Sequence, residues 1–216
     1  MKQIILILFL LSFTVISVSA QKTKTSDELT DKQWQDLFTV LENENWNSAF
    51  ELSAQYLKIL KDNDEAKSIA NLRYMYLYAA AAKVSEGNMS YDELEKKVKD
   101  FVGKKIVFPF RQIAVKCRGN EFNFTCASNE AKNKAVTVAT NKKSTSIFAF
   151  EYVELKEDFD FDKHKGETAA IGGVVKSIVP NPNKSKIVIL RIYISDGYFM
   201  LAKSKEKKAS EKERAG

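Results

Sequence analysis

His164 is the only histidine among 216 residues, and it sits in the charged run Asp162, Lys163, His164, Lys165, the composition of an exposed, solvated loop. Without a second histidine, the Ser-His-Asp, Cys-His and multi-histidine zinc arrangements have little to build on. Asp158, Asp160 and Asp162 alternate with Phe159 and Phe161 and invite a calcium reading. The glycine at the sixth position and the distal glutamate of an EF-hand are both missing, so the run reads as a strand or loop with a wet acidic side. There is no glycine loop to cradle a phosphate and no Gly-x-Ser-x-Gly elbow. The residues therefore predict no catalytic group, no metal site and no cofactor. The chain reads as a binding protein rather than an enzyme.

Cations set among aromatics are the remaining chemistry. Lys104, Lys105, Arg111, Lys142 and Lys143 lie in the same half of the chain as Phe108, Phe110, Phe122, Phe124, Phe148, Phe150 and Tyr152. Rings of that kind beside cations can stack and neutralise a single-stranded polyanion; phenylalanine alternating with small or polar residues is more simply the core of a sheet. The five cations are the candidate binding residues. Cys117 and Cys126 are the only cysteines. An oxidising compartment favours a disulfide between them. If residues 118–121 form a four-residue hairpin turn, however, the sulfurs lie about four residues apart along the ladder, roughly 13 Å at the ~3.3 Å rise of a strand, too far to bridge. A wider loop would bring them together, so a bond and two buried free thiols both stay open.

The first twenty residues set an address. Lys2 supplies a positive start, residues 4–18 form an apolar core, and Ser17, Ser19 and Ala20 are small residues suited to signal peptidase, with Gln21 next. This predicts a signal peptide at 1–20 and a periplasmic or secreted mature protein. No cysteine stands at the cleavage point, and no later apolar run reaches the ~18 residues of a membrane span. An exported address argues against nucleic acid. The formal net charge is +6, and the basic excess lies after Phe101; residues 21–101 are net acidic. Any electrostatic attraction therefore belongs to the second half.

Those residues must be positioned by two kinds of element. Between 27 and 101 the apolar period is helical: Trp34, Leu37, Phe38 and Leu41, then Trp46, Ala49, Phe50, Ser53, Tyr56 and Leu57, then Ile69, Leu72, Tyr76, Leu77 and Ala80. Thr30 with Gln33, and Ser90 with Glu93, have the spacing of capping boxes, and Gly87 marks a helix end. From Gly103 the period becomes two. Strands are expected through Ile106, Phe108 and Phe110, through Ile113, Val115 and Cys117, through Phe122, Phe124 and Cys126, then at 135–140, 147–155, 168–179 and 186–195. Residues 118–121 are expected to turn a hairpin, and Asp196 with Gly197 to reverse the chain again. The division is thus 1–20 leader, 21–101 helical, 102–200 strands and 201–216 a charged, disordered or frayed tail.

Trp34 with Leu37, then Trp46 with Ala49 and the Tyr56-Leu57 pair, resembles a tetratricopeptide-type helical hairpin. The resemblance implies stacked antiparallel helices that hold peptides or partner proteins. Read without it, the four helices serve only as their own core. The segment 166–178 with Gly166, Gly172 and Gly173, followed by 187–195 and Asp196-Gly197, resembles the opening strands of an OB-fold barrel, in which a glycine permits the bend that closure demands. The fold class is accordingly α+β, with N-terminal helical hairpins and a small antiparallel C-terminal β-barrel. Function follows as a non-enzymatic exported interaction or ligand-binding protein. The alternative is an OB-type binder of polyanions, nucleic acid or acidic polysaccharide, carried by the basic half.

Overall fold

The computed structural model describes residues 28–64, 66, 68–116, 124–128 and 131–202. The leader at 1–20, residues 203–216 of the tail, Cys117 and Phe122 lie outside the described residues. Four helices come first: α1 Asp31–Glu42, α2 Trp46–Ile59, α3 Ile69–Glu86 and α4 Tyr91–Val98, the last continued by a 3₁₀ turn Lys99–Phe101. Their ends follow the local chemistry. Thr30 caps α1 with a complete capping box, its hydroxyl taking the Gln33 N–H while the Gln33 side chain takes the Thr30 N–H at 2.8 Å. Ser90 accepts from the Glu93 N–H at 3.1 Å to start α4. Gly87, at φ 80°, ends α3 in the left-handed conformation, and the Asn88 N–H closes back on the Lys83 carbonyl at 2.8 Å.

α3 is the central helix. It is apolar on nearly every side, as suits a helix with neighbours all round, and Ala79, Ala80, Ala81 and Ala82 are completely buried. It packs against α2 and α4 and against β1, β5 and β7. Arg73 locks its start. This fully buried guanidinium donates to Asp62 at 2.7 Å, to Asp64, and to the Lys105 carbonyl at 3.0 Å, tying the α2–α3 turn to the first strand.

The switch from helix to strand falls between Phe101 and Lys105. Seven strands follow: β1 Lys105–Val107, β2 Arg111–Ala114, β3 Phe124–Ser128, β4 Ala131–Thr140, β5 Ile147–Leu155, β6 Thr168–Pro180 and β7 Val188–Leu201. They form one sheet in the order β1-β6-β2-β3-β4-β5-β7, and β6 pairs with β7 as well, so the ladder that leaves β6 through β2 returns to it. Helices and strands share one hydrophobic cluster.

Four expectations are corrected. The sheet is mixed, not antiparallel: β2 runs parallel to β3, with Ala114 beside Cys126, and β5 runs parallel to β7. The second and third strands are consequently no hairpin about 118–121, and the hairpin geometry that separated the two sulfurs does not apply. Cys126 is fully buried and carries no free thiol; its expected partner Cys117 is outside the described residues. Next, Asp196 and Gly197 do not reverse the chain. β7 continues to Leu201, and its register against both β5 and β6 slips by one residue there, with Asp196 at φ 52°: a bulge takes the place of a turn. Phe110, finally, is not core. Pro109 cannot donate to a ladder, so β1 stops at Val107, β2 starts afresh at Arg111, and Phe110 between them is 59% exposed. Phe108 and Phe148 are buried as expected.

Candidate binding cleft between helices and sheet

A cleft of about 470 Å³ opens where the helical layer meets the sheet. α1 gives it Phe38, Leu41 and Glu42, the α1–α2 turn gives Glu44, and α2 gives Trp46; Tyr74, Met75 and Tyr78 come from α3, Phe110 and Arg111 from the start of β2, and Val138 to Thr140 and Lys142 from the end of β4 and the turn beyond it. Phe38 and Phe110 are 45% and 59% exposed, large apolar rings left in solvent at its edge. Trp46 is 4% exposed, with its indole edge-on to Tyr78 and to Phe148 of β5, each at 5.3 Å. Its ring partners thus belong to α3 and the sheet.

The floor is charged. Arg111, whose side chain is 9% exposed, pairs with the fully buried Glu151 and donates to the Thr137 hydroxyl and, at 2.9 Å, to the Tyr74 hydroxyl. β2 and β5 are not neighbours, since β3 and β4 lie between them, so this pair spans the inner side of the sheet. Glu151 faces Thr137 directly across the β4–β5 ladder. Burial disfavours the Arg111 charge, but the Glu151 carboxylate and the Tyr74 hydroxyl more than offset it, and its pKa is raised. The guanidinium is therefore a permanent cation and cannot relay protons. Burial first, and the Glu151 charge second, push Tyr74 well above the usual phenol value. Arg111 uses three of its five N–H groups on these partners, and it alone of the network lines the cleft beside Tyr74. Glu151 Oε1 has no hydrogen-bond partner among the described residues.

The rim is tied across. The Lys142 N–H donates to Glu44 Oε1 at 2.7 Å, joining the α1–α2 turn to the β4–β5 turn. Glu44 has φ 54°, a conformation that costs a non-glycine residue free energy and persists where other contacts hold it. The Tyr78 hydroxyl donates to the Thr140 carbonyl at 2.6 Å along the same seam. Compared with protein-family models, with curated proteins and with solved structures, the chain matches none.

Of the five cations read from the sequence, the structure brings Arg111 and Lys142 to this cleft. Lys104 is turned to Asp62 at 3.3 Å, beside the Arg73 clasp, and Lys105 is exposed on β1 with its carbonyl held by Arg73. Lys143 is exposed in the turn after Lys142 and does not line the cleft. Two of the five thus line the cleft and three do not. His164 is not freely exposed: its ring stacks on Phe159 at 5.0 Å, and Nδ1 lies 3.1 Å from Glu167. Asp160 caps the turn at the Lys163 N–H at 3.0 Å, and no cluster of three metal-capable side chains occurs among the described residues. Sequence reading missed Glu151, Tyr74 and the exposed Phe38. Glu151 did leave a signal, a carboxylate at an inward-facing position in the alternation of β5.

Proposed function

We propose that this chain is an exported, non-enzymatic binding protein that holds a peptide segment of a partner in the helix–sheet cleft. The observation that carries the reading is the pairing of an apolar mouth, with Phe38 and Phe110 exposed, and a buried floor on which Arg111 keeps two N–H groups uncommitted among the described residues. An apolar anchor side chain would fill the mouth, and a peptide carbonyl would accept from Arg111. Such a mixture of apolar wall and few fixed polar groups is the usual make-up of a ligand site, and the volume lies within the ~300–1,000 Å³ common for one. A permanently charged Arg111 beside its own counter-ion supports binding over proton-transfer chemistry. The leader at 1–20 supports a periplasmic or secreted location. No described helix is long and apolar enough to cross a membrane.

The contact of α1 with α2 across a three-residue turn supports the tetratricopeptide-like reading of the first half, and the ladder that returns from β7 to β6 supports an OB-like barrel in the second. A polyanion site built on Lys104, Lys105, Arg111, Lys142 and Lys143 has less to support it, because of these only Arg111 and Lys142 line the cleft. Panning a random peptide display library against the full chain tests the cleft. Enriched peptides should carry an aromatic or branched apolar anchor, and Phe110→Ala and Phe38→Ala should each weaken the best of them at least tenfold. Failure to enrich any sequence, or enriched peptides that bind both variants as well as the parent, would refute the reading.

A further inference from the structure

On the outward face of the sheet, away from the cleft, Tyr152 of β5 and Tyr193 of β7 stand directly opposite one another, their rings stacked at 5.1 Å and 14°. A half-open groove of about 350 Å³ runs beside them, walled by Lys134, Glu154, Lys176 and Ser177. We propose that this groove binds an acidic sugar unit, the pyranose ring lying on the tyrosines and its carboxylate meeting Lys134 and Lys176. The argument is independent of the cleft.

Three observations carry it. The hydroxyls of Tyr74, Tyr78 and Tyr91 are each bonded to protein, whereas those of Tyr152 and Tyr193 have no protein partner among the described residues, and neither do Lys134 Nζ and Ser177 Oγ. Four polar groups thus stand uncommitted around one stacked aromatic pair. The backbone is also bent at the site. Between Val175 and Ser177 the register of β6 against β7 slips by one residue, which leaves Lys176 as the extra residue of a bulge at the groove; bulges commonly re-aim a side chain beside a binding site. Last, the charges are mixed. Lys176 lies 3.8 Å from Glu154, and Lys134 is opposite Glu154 in the ladder, so two cations flank one carboxylate.

That mixture selects the ligand. A chain of phosphates would run past Glu154 and be repelled by it, whereas sugar hydroxyls donate to a carboxylate and accept from ammonium groups and a serine hydroxyl. The single surplus positive charge matches one carboxylate per ring. A volume near the lower end of small-ligand sites holds one ring with its neighbours outside.

Isothermal titration calorimetry of the full chain with tetragalacturonate, with neutral maltotetraose and with an eight-residue oligo-dT tests the proposal. Tetragalacturonate should bind at least tenfold more tightly than either of the others, and raising salt should weaken it. Tyr193→Ala should cost tenfold or more, Tyr193→Phe only severalfold, and Lys134→Gln severalfold with a shallower salt dependence. Should Tyr193→Ala fail to fold by circular dichroism, Lys134→Gln at the exposed edge still decides. Absence of tetragalacturonate binding, binding untouched by both Tyr193→Phe and Lys134→Gln, or a preference for oligo-dT would overturn the proposal.

Discussion

Arg111 and Glu151 pose the sharpest question at the level of single residues, because a buried ion pair is expensive to break yet contributes little by itself. Removing one partner leaves an uncompensated charge in the interior, a loss of about 3–5 kcal/mol, while replacing both with apolar groups of similar volume is often neutral or stabilising. Glu151→Leu is therefore expected to lower the urea midpoint steeply, and Arg111→Met with Glu151→Leu to restore most of it. A double variant as unstable as the single one would mean that Thr137 and Tyr74, not the pair, carry the network. Trp46 offers a second test. Its indole stands between Tyr78 and Phe148, so truncation opens a void at the joint of helix and sheet. Trp46→Ala should cost about 3–5 kcal/mol in a urea titration of the full chain; a loss under 1 kcal/mol would show that the joint closes over the gap.

Secondary-structure elements show what a sequence tells and where it stops. The helices were legible because apolar period, caps and the stop at Gly87 agree, and β5 was legible because Phe150, Tyr152 and Glu154 alternate with the buried Ala149, Glu151 and Val153. Alternation reports which face a residue occupies, however, and says nothing of which strand lies beside it. The parallel partners β2 with β3 and β5 with β7 were invisible for that reason, and with them the meeting of Arg111 with Glu151 and of Tyr152 with Tyr193, each about forty residues apart in the chain. Asp196-Gly197 misled differently: the dipeptide signals a backbone excursion, which a bulge satisfies as well as a turn. Gly197 is needed there because a β-carbon on it would overlap the Val153 side chain and crowd the Glu154 carbonyl. Gly197→Ala should cost about 1–3 kcal/mol through overpacking, read as a lower thermal midpoint. An unchanged midpoint would show that β7 shifts to admit the methyl group.

At the scale of the whole molecule, alkaline pH is the condition to which the core is most sensitive. Tyr56, Tyr74, Tyr76, Tyr78 and Tyr91 all have raised pKa values, burial being the first cause in each, with Tyr76 pushed up to about 12. Unfolded phenols ionise near 10. Below that value both states hold their protons and the full stability is present; above it the unfolded chain binds fewer protons than the folded one, so stability falls as pH rises toward 12. Urea midpoints should be level from pH 7 to 9 and drop by pH 11, and a level midpoint at pH 11 would mean that these hydroxyls ionise in the folded protein. The order of the strands carries one further consequence, for synthesis. β6 is the common partner of β1, β2 and β7, and β7 joins β5 to β6, so β2 to β5 can pair as they are made, while β1 and one edge of β2 wait for β6 and one edge of β5 waits for β7. Until β6 has left the ribosome β1 and β2 present unpaired edges, and β5 does so until β7 follows, surfaces on which nascent chains stick to one another. Closure of the sheet is thus the last event of synthesis, completed only when β7 arrives to join β5 to β6.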